Sequence, residues 1–286
     1  MNPIVVAGVS GHTGRVAAET LLAQKQPVRV VVRNENQGRP WKDKGAEVAV
    51  ADLGDAKAVQ RALGGASAAY LLAPPKLDAA DVFADRKLLI DALASAVRGS
   101  RVPHVVLLSS IGAQLPSGTG PIVMLRYAEQ VLADAAPSAA FVRPCYFMDN
   151  WAGVVPMVRD GVLPVFLPAA LAFPQIATHD IGVVAAREVL APAKGARIVE
   201  LCGPTASAND VAAAFAKLIG RQVGVQVAPN AAVVPAFTSM GVGRSMAAMF
   251  AEMYATMEAG KLVFEKPARV ERTPTSLLDG LRPLLA

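Results

Sequence analysis

The stretch V-A-G-V-S-G-H-T-G-R-V sets Gly8, Gly11 and Gly14 at intervals of three residues. The chemistry such a loop serves is the holding of phosphate. A phosphate oxygen must come close to backbone N–H groups at the start of a helix, and a Cβ on that backbone would stand in the way. The spacing assigns Gly8 to a tight turn, Gly11 to the approach of a diphosphate, and Gly14 to contact between the following helix and the sheet. The same spacing also serves a strand–helix turn that binds nothing. What weighs toward a ligand is the frame, because an apolar strand, the loop, a helix and a second strand follow one another within about thirty residues.

Arg33 lies at the end of the second strand, 19 residues past Gly14 (33 − 14). A carboxylate there holds the ribose 2′-hydroxyl of NAD(H), whereas a guanidinium suits the extra phosphate of NADP(H). The strand ends V-V-R-N, and no acid follows before Glu35. This favours NADP(H) over NAD(H), although a solvated loop arginine has the same appearance. Asp52, in A-D-L-G-D, can accept from an adenine amino group or belong to the N-cap region of the next helix. Leu53 follows it, and Leu72, Ala73 and Pro74 end a later strand where the backbone would line a nucleotide groove.

The elements that would position these residues alternate along the chain. Apolar, β-branched runs at 4–9, 28–33, 47–51, 68–73, 105–110 and 139–143 read as strands. Helical stretches fall at 14–24, 57–63, 78–98 and 122–135. Continuous apolar strands between helices argue for an α/β protein with a parallel sheet covered on both faces, doubly wound. After Pro144 the pattern changes, and mostly helices follow from Ser207, with a strand near 223–227. The division expected is a nucleotide-binding domain over 1–150 and a smaller, mostly helical C-terminal lobe over 151–286, with strands near 176–203 free to return to the main domain.

Composition narrows the function classes. Of 286 residues 53% are hydrophobic and 18% charged, at a formal net charge of +5, and Lys and Arg do not cluster. Neither a disordered chain nor a nucleic-acid-binding protein fits. Cys145 and Cys202 are too few for a disulfide framework, and His12, His104 and His179 form no metal signature, so no metal is expected. The charge-free stretch 161–178 carries Pro164, Pro168 and Pro174, which a membrane helix would not tolerate. It reads as an irregular apolar wall, and the cytoplasm is the default compartment. A monomer and a homodimer fit the sequence equally.

The motifs GVSGHTGR, VVRN, ADLGD, LLAPP, VVLLSSIGA, YAEQVL, FVRPCYFMDN and THDIG occur in that order. In this the chain resembles the NmrA-like group of atypical short-chain dehydrogenases, which includes NAD(P)H-dependent quinone and dye reductases. The resemblance spans most of the chain and is strongest before Gly203. It implies a Rossmann domain with a small C-terminal lobe and NADP(H) in the cleft between them. It further implies that Gly8, Ser10, Gly11, His12, Thr13, Gly14 and Arg33 touch the cofactor. Ser109 and Ser110 would lie near the nicotinamide ribose, and Tyr146, Phe147 and Asn150 would border the nicotinamide and the substrate.

The departures from that pattern bear on mechanism. Better-known short-chain dehydrogenases pair a Tyr with a Lys four residues on, which lowers the phenol pKa for proton shuttling. Here Val131 stands four residues after Tyr127, and no lysine occurs between Lys87 and Lys194. Leu125 occupies the site at which some family members carry Lys or His. Tyr127, Tyr146 and Asn150 are the polar side chains left as catalytic candidates. Hydride transfer to a quinone or a conjugated dye needs no protein acid, since the reduced acceptor is a stabilised phenolate that water can protonate. The expectation is therefore an NADPH-dependent oxidoreductase acting on a small apolar electrophile, with residues 162–173, Trp151, Tyr146 and Phe147 as either its pocket or plain inter-lobe core. An NADP(H)-binding redox sensor is the alternative, and a sugar-nucleotide epimerase, lacking the Tyr–Lys pair, is weaker.

Overall fold

The computed structural model describes residues 2–266 and 269–286. Its first half alternates strand and helix: β1 (Ile4–Val6), α1 (His12–Ala23), β2 (Val28–Val32), α2 (Glu35–Asp43), β3 (Glu47–Val50), α3 (Ala56–Leu63), β4 (Ala68–Leu71), α4 (Val82–Ser100), β5 (His104–Leu108), α5 (Ile122–Leu132) and β6 (Ser138–Pro144). The second half is less regular. It contains β7 (Tyr146–Phe147), α6 (Val155–Arg159), β8 (Val162–Val165), β9 (Phe173–Ile176), α7 (Thr178–Val189), β10 (Gly195–Cys202), β11 (Thr205–Ala206) and α8 (Ala208–Ile219). There follow β12 (Gly224–Val227), α9 (Val233–Ser239), α10 (Arg244–Glu258), β13 (Glu271–Arg272) and α11 (Leu277–Leu281).

Eight strands form one sheet in the order β13-β10-β6-β5-β4-β1-β2-β3, every pair parallel. The order turns back between β1 and β4, so the chain leaves β1 in one direction and β4 in the other. A crevice opens there beyond the carboxyl ends of the strands. The short strands β1 and β4 are buried at every position, as a sheet covered on both faces requires. One face packs Val59, Leu93 and Leu132 from α3, α4 and α5, and the other packs Leu21, Trp41 and Ile181 from α1, α2 and α7. A third apolar cluster joins Met148, Trp151, Leu163, Phe215 and Leu281 away from the main sheet.

Local chemistry sets the helix boundaries. Asp55 accepts from the N–H groups of Lys57 and Ala58 and so starts α3. Asp81 does the same for α4 through Ala84, which moves that helix's start to Val82, past the 78 read from its periodicity. Pro74 and Pro75 keep the preceding backbone extended. Helix α2 is absent from the sequence reading because Gly38 and Pro40 lie inside it. Asn34 caps it, and Gly38 is required because a Cβ there would meet Val48 at 2.5 Å. The charge-free stretch after Gly161 forms β8, a turn and β9, and among the described residues no helix is long and apolar enough to cross a membrane.

The C-terminal segment is tied to the sheet by buried charge. Arg143 on β6 is 4% exposed and Glu129 on α5 is 7% exposed. The guanidinium donates twice to Glu129, at 2.8 and 2.5 Å, and once to Glu265 at 2.6 Å. Burial opposes the arginine's charge, but the two carboxylates outweigh it and hold the proton more firmly still. A buried cation stripped of its partner is far worse than either the intact pair or an apolar replacement. Glu129→Ala is therefore expected to lower the unfolding free energy by roughly 3–5 kcal/mol, read by urea denaturation. A loss below about 1 kcal/mol, typical of an exposed pair, would contradict the burial of the Arg143–Glu129 pair; Glu265→Ala, which removes the contact to the C-terminal segment alone, is expected to cost less because Glu129 still pairs with Arg143.

Candidate functional site

The turn from β1 into α1 stands at the crevice. Gly8 has φ +70°, and a Cβ on it would meet a Leu72 methyl at 2.4 Å. Gly14, inside α1, lies so close to β1 that a Cβ would come within 2.6 Å of the Gly8 and Ala7 carbonyl oxygens. Both glycines are needed by the protein itself. Gly11 is different. Its φ of −96° suits any residue, and its ideal Cβ meets only the Gly8 oxygen at an ordinary 3.4 Å. Nothing in the fold requires a glycine there, yet the position is open and faces the cleft. Helix α1 begins at Gly11 with no side-chain cap and no acid in its first turn. Its first N–H groups and the positive end of its dipole therefore stand ready for an anion.

The cleft has a volume of about 610 Å³ and collects residues from four strand ends. Gly8, Ser10 and Gly11 come from β1, Arg33 from β2, Asp52 and Leu53 from β3, and Leu72 and Pro74 from β4. Ala73 lies between the last two and is only partly buried. Arg33 is exposed, and among the described residues only its backbone N–H is engaged, by Gln37 at 3.1 Å. The cleft's other cations are paired. Lys76 meets Asp85 at 3.1 Å, and Arg86 pairs with Asp85 and donates to the Pro74 carbonyl at 2.6 Å. Asp52 does not cap α3; one carboxylate oxygen takes the Gly54 N–H at 2.7 Å, and the other is free of protein donors among the described residues.

Beyond Gly11 the first turn of α1 makes a second set of contacts. The His12 Nδ1 pairs with the Asp149 carboxylate. Asp149 also accepts from the Thr178 hydroxyl at 2.9 Å, at the start of α7. His12, from the glycine loop, is thereby joined to the residue next to Asn150. Thr13 and Gly14 turn inward; the Thr13 hydroxyl accepts from the buried Tyr70 phenol at 3.0 Å, so only their backbone can serve a ligand. The Asp149 contact spans 137 residues and has no local signal, although both residues sit in motifs singled out from the sequence.

Three candidates from the sequence are placed differently from the role expected of them. The Tyr127 hydroxyl donates to Asp91 on α4 at 2.5 Å, with Lys87 over its ring, on a helix face away from the cleft. The Ser109 hydroxyl is buried and donates to Glu129 at 2.5 Å, because this position of the strand points toward α5. Phe147 packs into the main core and not into a pocket. Ser110 is half-buried and follows the strand end.

Tyr146 and Asn150 border a separate apolar slot of about 160 Å³. Trp151, Phe166 and Phe173 line it. Phe237, Met240 and Tyr254, from α9, its end and α10, close the opposite wall and were not foreseen. Tyr146 stacks edge-on to Phe173 at 5.1 Å, and Phe166 lies 5.9 Å from both Phe237 and Tyr254. Burial pushes the Tyr146 phenol well above its usual range, and the neighbouring Tyr254 raises it further while Asn150 opposes. Burial likewise raises Tyr254. The Cys145 thiol, pushed up to about 12 by burial, has no thiolate character. No metal-binding cluster exists among the described residues.

The chain belongs to the NmrA-like family, which it matches over residues 2–272. It is 27% identical over 257 residues to an NAD(P)H azoreductase of Xenophilus azovorans, covering 88% of this chain and 86% of that one. A (4-alkanoyl-5-oxo-2,5-dihydrofuran-3-yl)methyl phosphate reductase of Streptomyces griseus is 27% identical over 235 residues, 80% of this chain and 79% of that protein. Among solved structures, the NADPH complex of an NADPH-dependent quinone oxidoreductase from Escherichia coli superposes with a TM-score of 0.83 at 22% identity, over 99% of this chain and all of that one. A triphenylmethane reductase from Citrobacter sp. gives 0.82 at 17% identity, over 99% of each. The Rossmann-like α/β fold is thus shared with these structures.

The tyrosines give a pH test. Tyr70, Tyr146 and Tyr254 all hold their protons more tightly when folded, chiefly through burial. Above the unfolded pKa of about 10 the unfolded chain then binds fewer protons than the native one, so stability falls as pH rises. Ultraviolet titration is expected to show these three phenols ionising above the ordinary tyrosine range of about pH 10, together with loss of near-ultraviolet dichroism. Ionisation of more than one tyrosine near pH 10 in the folded protein would refute the burial of this set.

Proposed function

We propose that the protein is an NADPH-dependent reductase that passes hydride to a small, flat, electrophilic acceptor. The observation that carries this reading is Gly11. It is the one glycine of the loop whose missing side chain leaves room in the cleft and not in the protein. A diphosphate laid there meets the free N–H groups of α1. The adenosine half then falls along the β2–β4 ends, with Arg33 as the cation left for a 2′-phosphate and the free oxygen of Asp52 for the adenine amino group. The nicotinamide half points past His12 toward Asp149 and Asn150, where the aromatic slot begins. The names of the azoreductase and of the quinone oxidoreductase support the same reading.

A reduced nicotinamide bound in this way supplies two electrons and one hydrogen to the acceptor. The protein's share is to position and to hold charge. The aromatic walls hold a planar acceptor and exclude water. Asp149 fixes His12 at the mouth between the two sites. The proton that completes reduction comes from solvent or from a phenol that solvent recharges. The absence of a Tyr–Lys pair fits this direction, because no base is needed to take a proton from the substrate.

Two substitutions separate binding from folding. Gly11→Ala is expected to leave the melting temperature unchanged or slightly higher, since the new residue suits the native backbone, while NADPH affinity falls at least about tenfold, or 1.4 kcal/mol. Retained affinity would remove the diphosphate from this turn. Arg33→Asp should weaken NADPH by about a hundredfold and NADH by less than about threefold, as expected for one charge-assisted contact replaced by repulsion. Fluorescence titration with both nucleotides reads this, and equal losses would show that Arg33 does not meet the 2′-phosphate.

A further inference from the structure

The only two cysteines of the chain, Cys145 and Cys202, lie 57 residues apart (202 − 145) and meet in the fold. Cys145 directly follows β6 and Cys202 ends β10, strands that pair in parallel with Leu201 opposite Pro144. The Cys145 N–H donates to the Leu201 carbonyl at 3.0 Å, so the ladder runs one step further and sets Cys145 across from Cys202. Residues opposite one another on paired strands leave the sheet on the same side, and both thiols belong to the same apolar cluster. Paired strands stand about 4.8 Å apart, which is inside the roughly 4.4–6.8 Å between Cα atoms that a disulfide spans. Both cysteines are unbridged.

The two sulfurs differ in their surroundings. Burial pushes the Cys145 thiol up to about 12, and Cys202 pushes the same way, while the Gly203 N–H near the sulfur opposes. Burial raises Cys202 as well, but Arg272, its neighbour on β13, acts against it. A sulfur beside a cation is the better nucleophile of such a pair. We infer that Cys145 and Cys202 form a reversible modification site, a dithiol that a small peroxide converts to an internal disulfide, with Cys202 reacting first. The Cys202 sulfur attacks one oxygen of hydrogen peroxide, the O–O bond breaks, and the thiol proton leaves with the departing hydroxide as water. The product is a sulfenic acid at Cys202. The Cys145 sulfur then attacks that sulfur, the S–O bond breaks, and the hydroxide leaves with the Cys145 proton as a second water. Two thiols lose two electrons, and one peroxide gains them. Both side chains are buried, but the ladder stops at this point, so a small opening of the strand ends admits an oxidant little larger than water.

The position gives the bridge a readout. Cys145 leads directly into Tyr146. Gly203, next to Cys202, donates to the Gln175 carbonyl, and the Gln175 side chain holds the Trp151 indole at 2.9 Å. Tyr146 and Trp151 both line the aromatic slot, so a bridge here pulls on two of its walls. The reaction needs neither nucleotide nor acceptor, and its test stands apart from the reductase reading.

Reduced protein can be treated with hydrogen peroxide, denatured in an alkylating quench and mapped by peptide mass, which keeps methionine sulfoxide apart from cysteine products. The expected result is loss of both alkylatable thiols, a peptide pair joining Cys145 to Cys202 within one chain, and recovery of both thiols with dithiothreitol. In peroxide-treated Cys145→Ala, dimedone should trap a sulfenic acid at Cys202, and Cys202→Ala should give less adduct at Cys145. Near-ultraviolet dichroism should shift on oxidation of the unaltered protein and stay unchanged in Cys145→Ala. Two thiols still alkylatable after peroxide, a bridge only between chains, or sulfinic acid without a bridge would overturn the site. Equal or reversed dimedone labelling would overturn the order of attack, and a bridge formed with unchanged dichroism would overturn its reach into the slot.

Discussion

Helix α1 starts without a partner for its first N–H groups, and much of the molecule is arranged around that fact. Helices α2, α3, α4 and α8 each receive a side-chain cap, from Asn34, Asp55, Asp81 and Ser207. Helix α1 has Gly11 in that place and water or a ligand as its only recourse. The sheet order determines where this open end lies, since the reversal between β1 and β4 parts the flanking loops and leaves a crevice above. Gly8 turns the backbone with a left-handed φ, Leu72 closes beneath it, and Gly14 lets α1 sit directly on the β1 carbonyls. A bulkier residue at either end of the loop would push the helix start out of the crevice.

The two halves of the site need opposite surroundings. An anion at a helix start would be served by exposed dipoles and by Arg33, whose guanidinium has no partner among the described residues, whereas a flat apolar acceptor would be served by dry aromatic walls. The chain meets both needs by building the slot from its second half and fastening that half to the sheet. Parallel pairing of β10 with β6 continues the sheet, and Arg143, Glu129 and Glu265 tie down the segment that follows α10. The joint between the two environments is the chain of contacts from His12 through Asp149 to Thr178. It links the first residue of α1 to the first residue of α7, and α7 lies against α1 closely enough that a Cβ on Gly182 would meet Val16 at 2.5 Å.

The sheet and the glycine loop were legible because their signals are local. Buried parallel strands read as unbroken apolar runs, and the loop's spacing is set by the turn itself. Other features depend on contacts across the chain. Ser109 and Ser110 are neighbours in sequence, and only the pleat decides that the first turns its hydroxyl to Glu129. Tyr127 sits in a motif that resembles a catalytic one, but the helix rotates it toward Asp91. Tyr254 lies in a helix whose sequence, RSMAAMFAEMYATME, gives no sign of a site. Its partner Tyr146 is 108 residues earlier (254 − 146). Helix α2 was hidden for a different reason, since its glycine answers a packing demand from Val48 that no local rule encodes.

The protonation state of the slot sets a direction for the proposed chemistry. An enzyme that oxidises an alcohol must take up a proton, and a phenol does so only when a nearby cation lowers its pKa. Here burial acts on Tyr146 and Tyr254 the other way, and among the described residues no charged side chain lines the slot to oppose it. Such phenols stabilise an oxygen that is gaining negative charge and do little for one that is losing a proton. The same burial that makes them poor bases strengthens their hydrogen bonds to a developing oxyanion, because the surroundings screen charge weakly. A site of this kind would lower the barrier to a step in which negative charge gathers on an acceptor oxygen, and it would do so without the lysine that the chain lacks between Lys87 and Lys194.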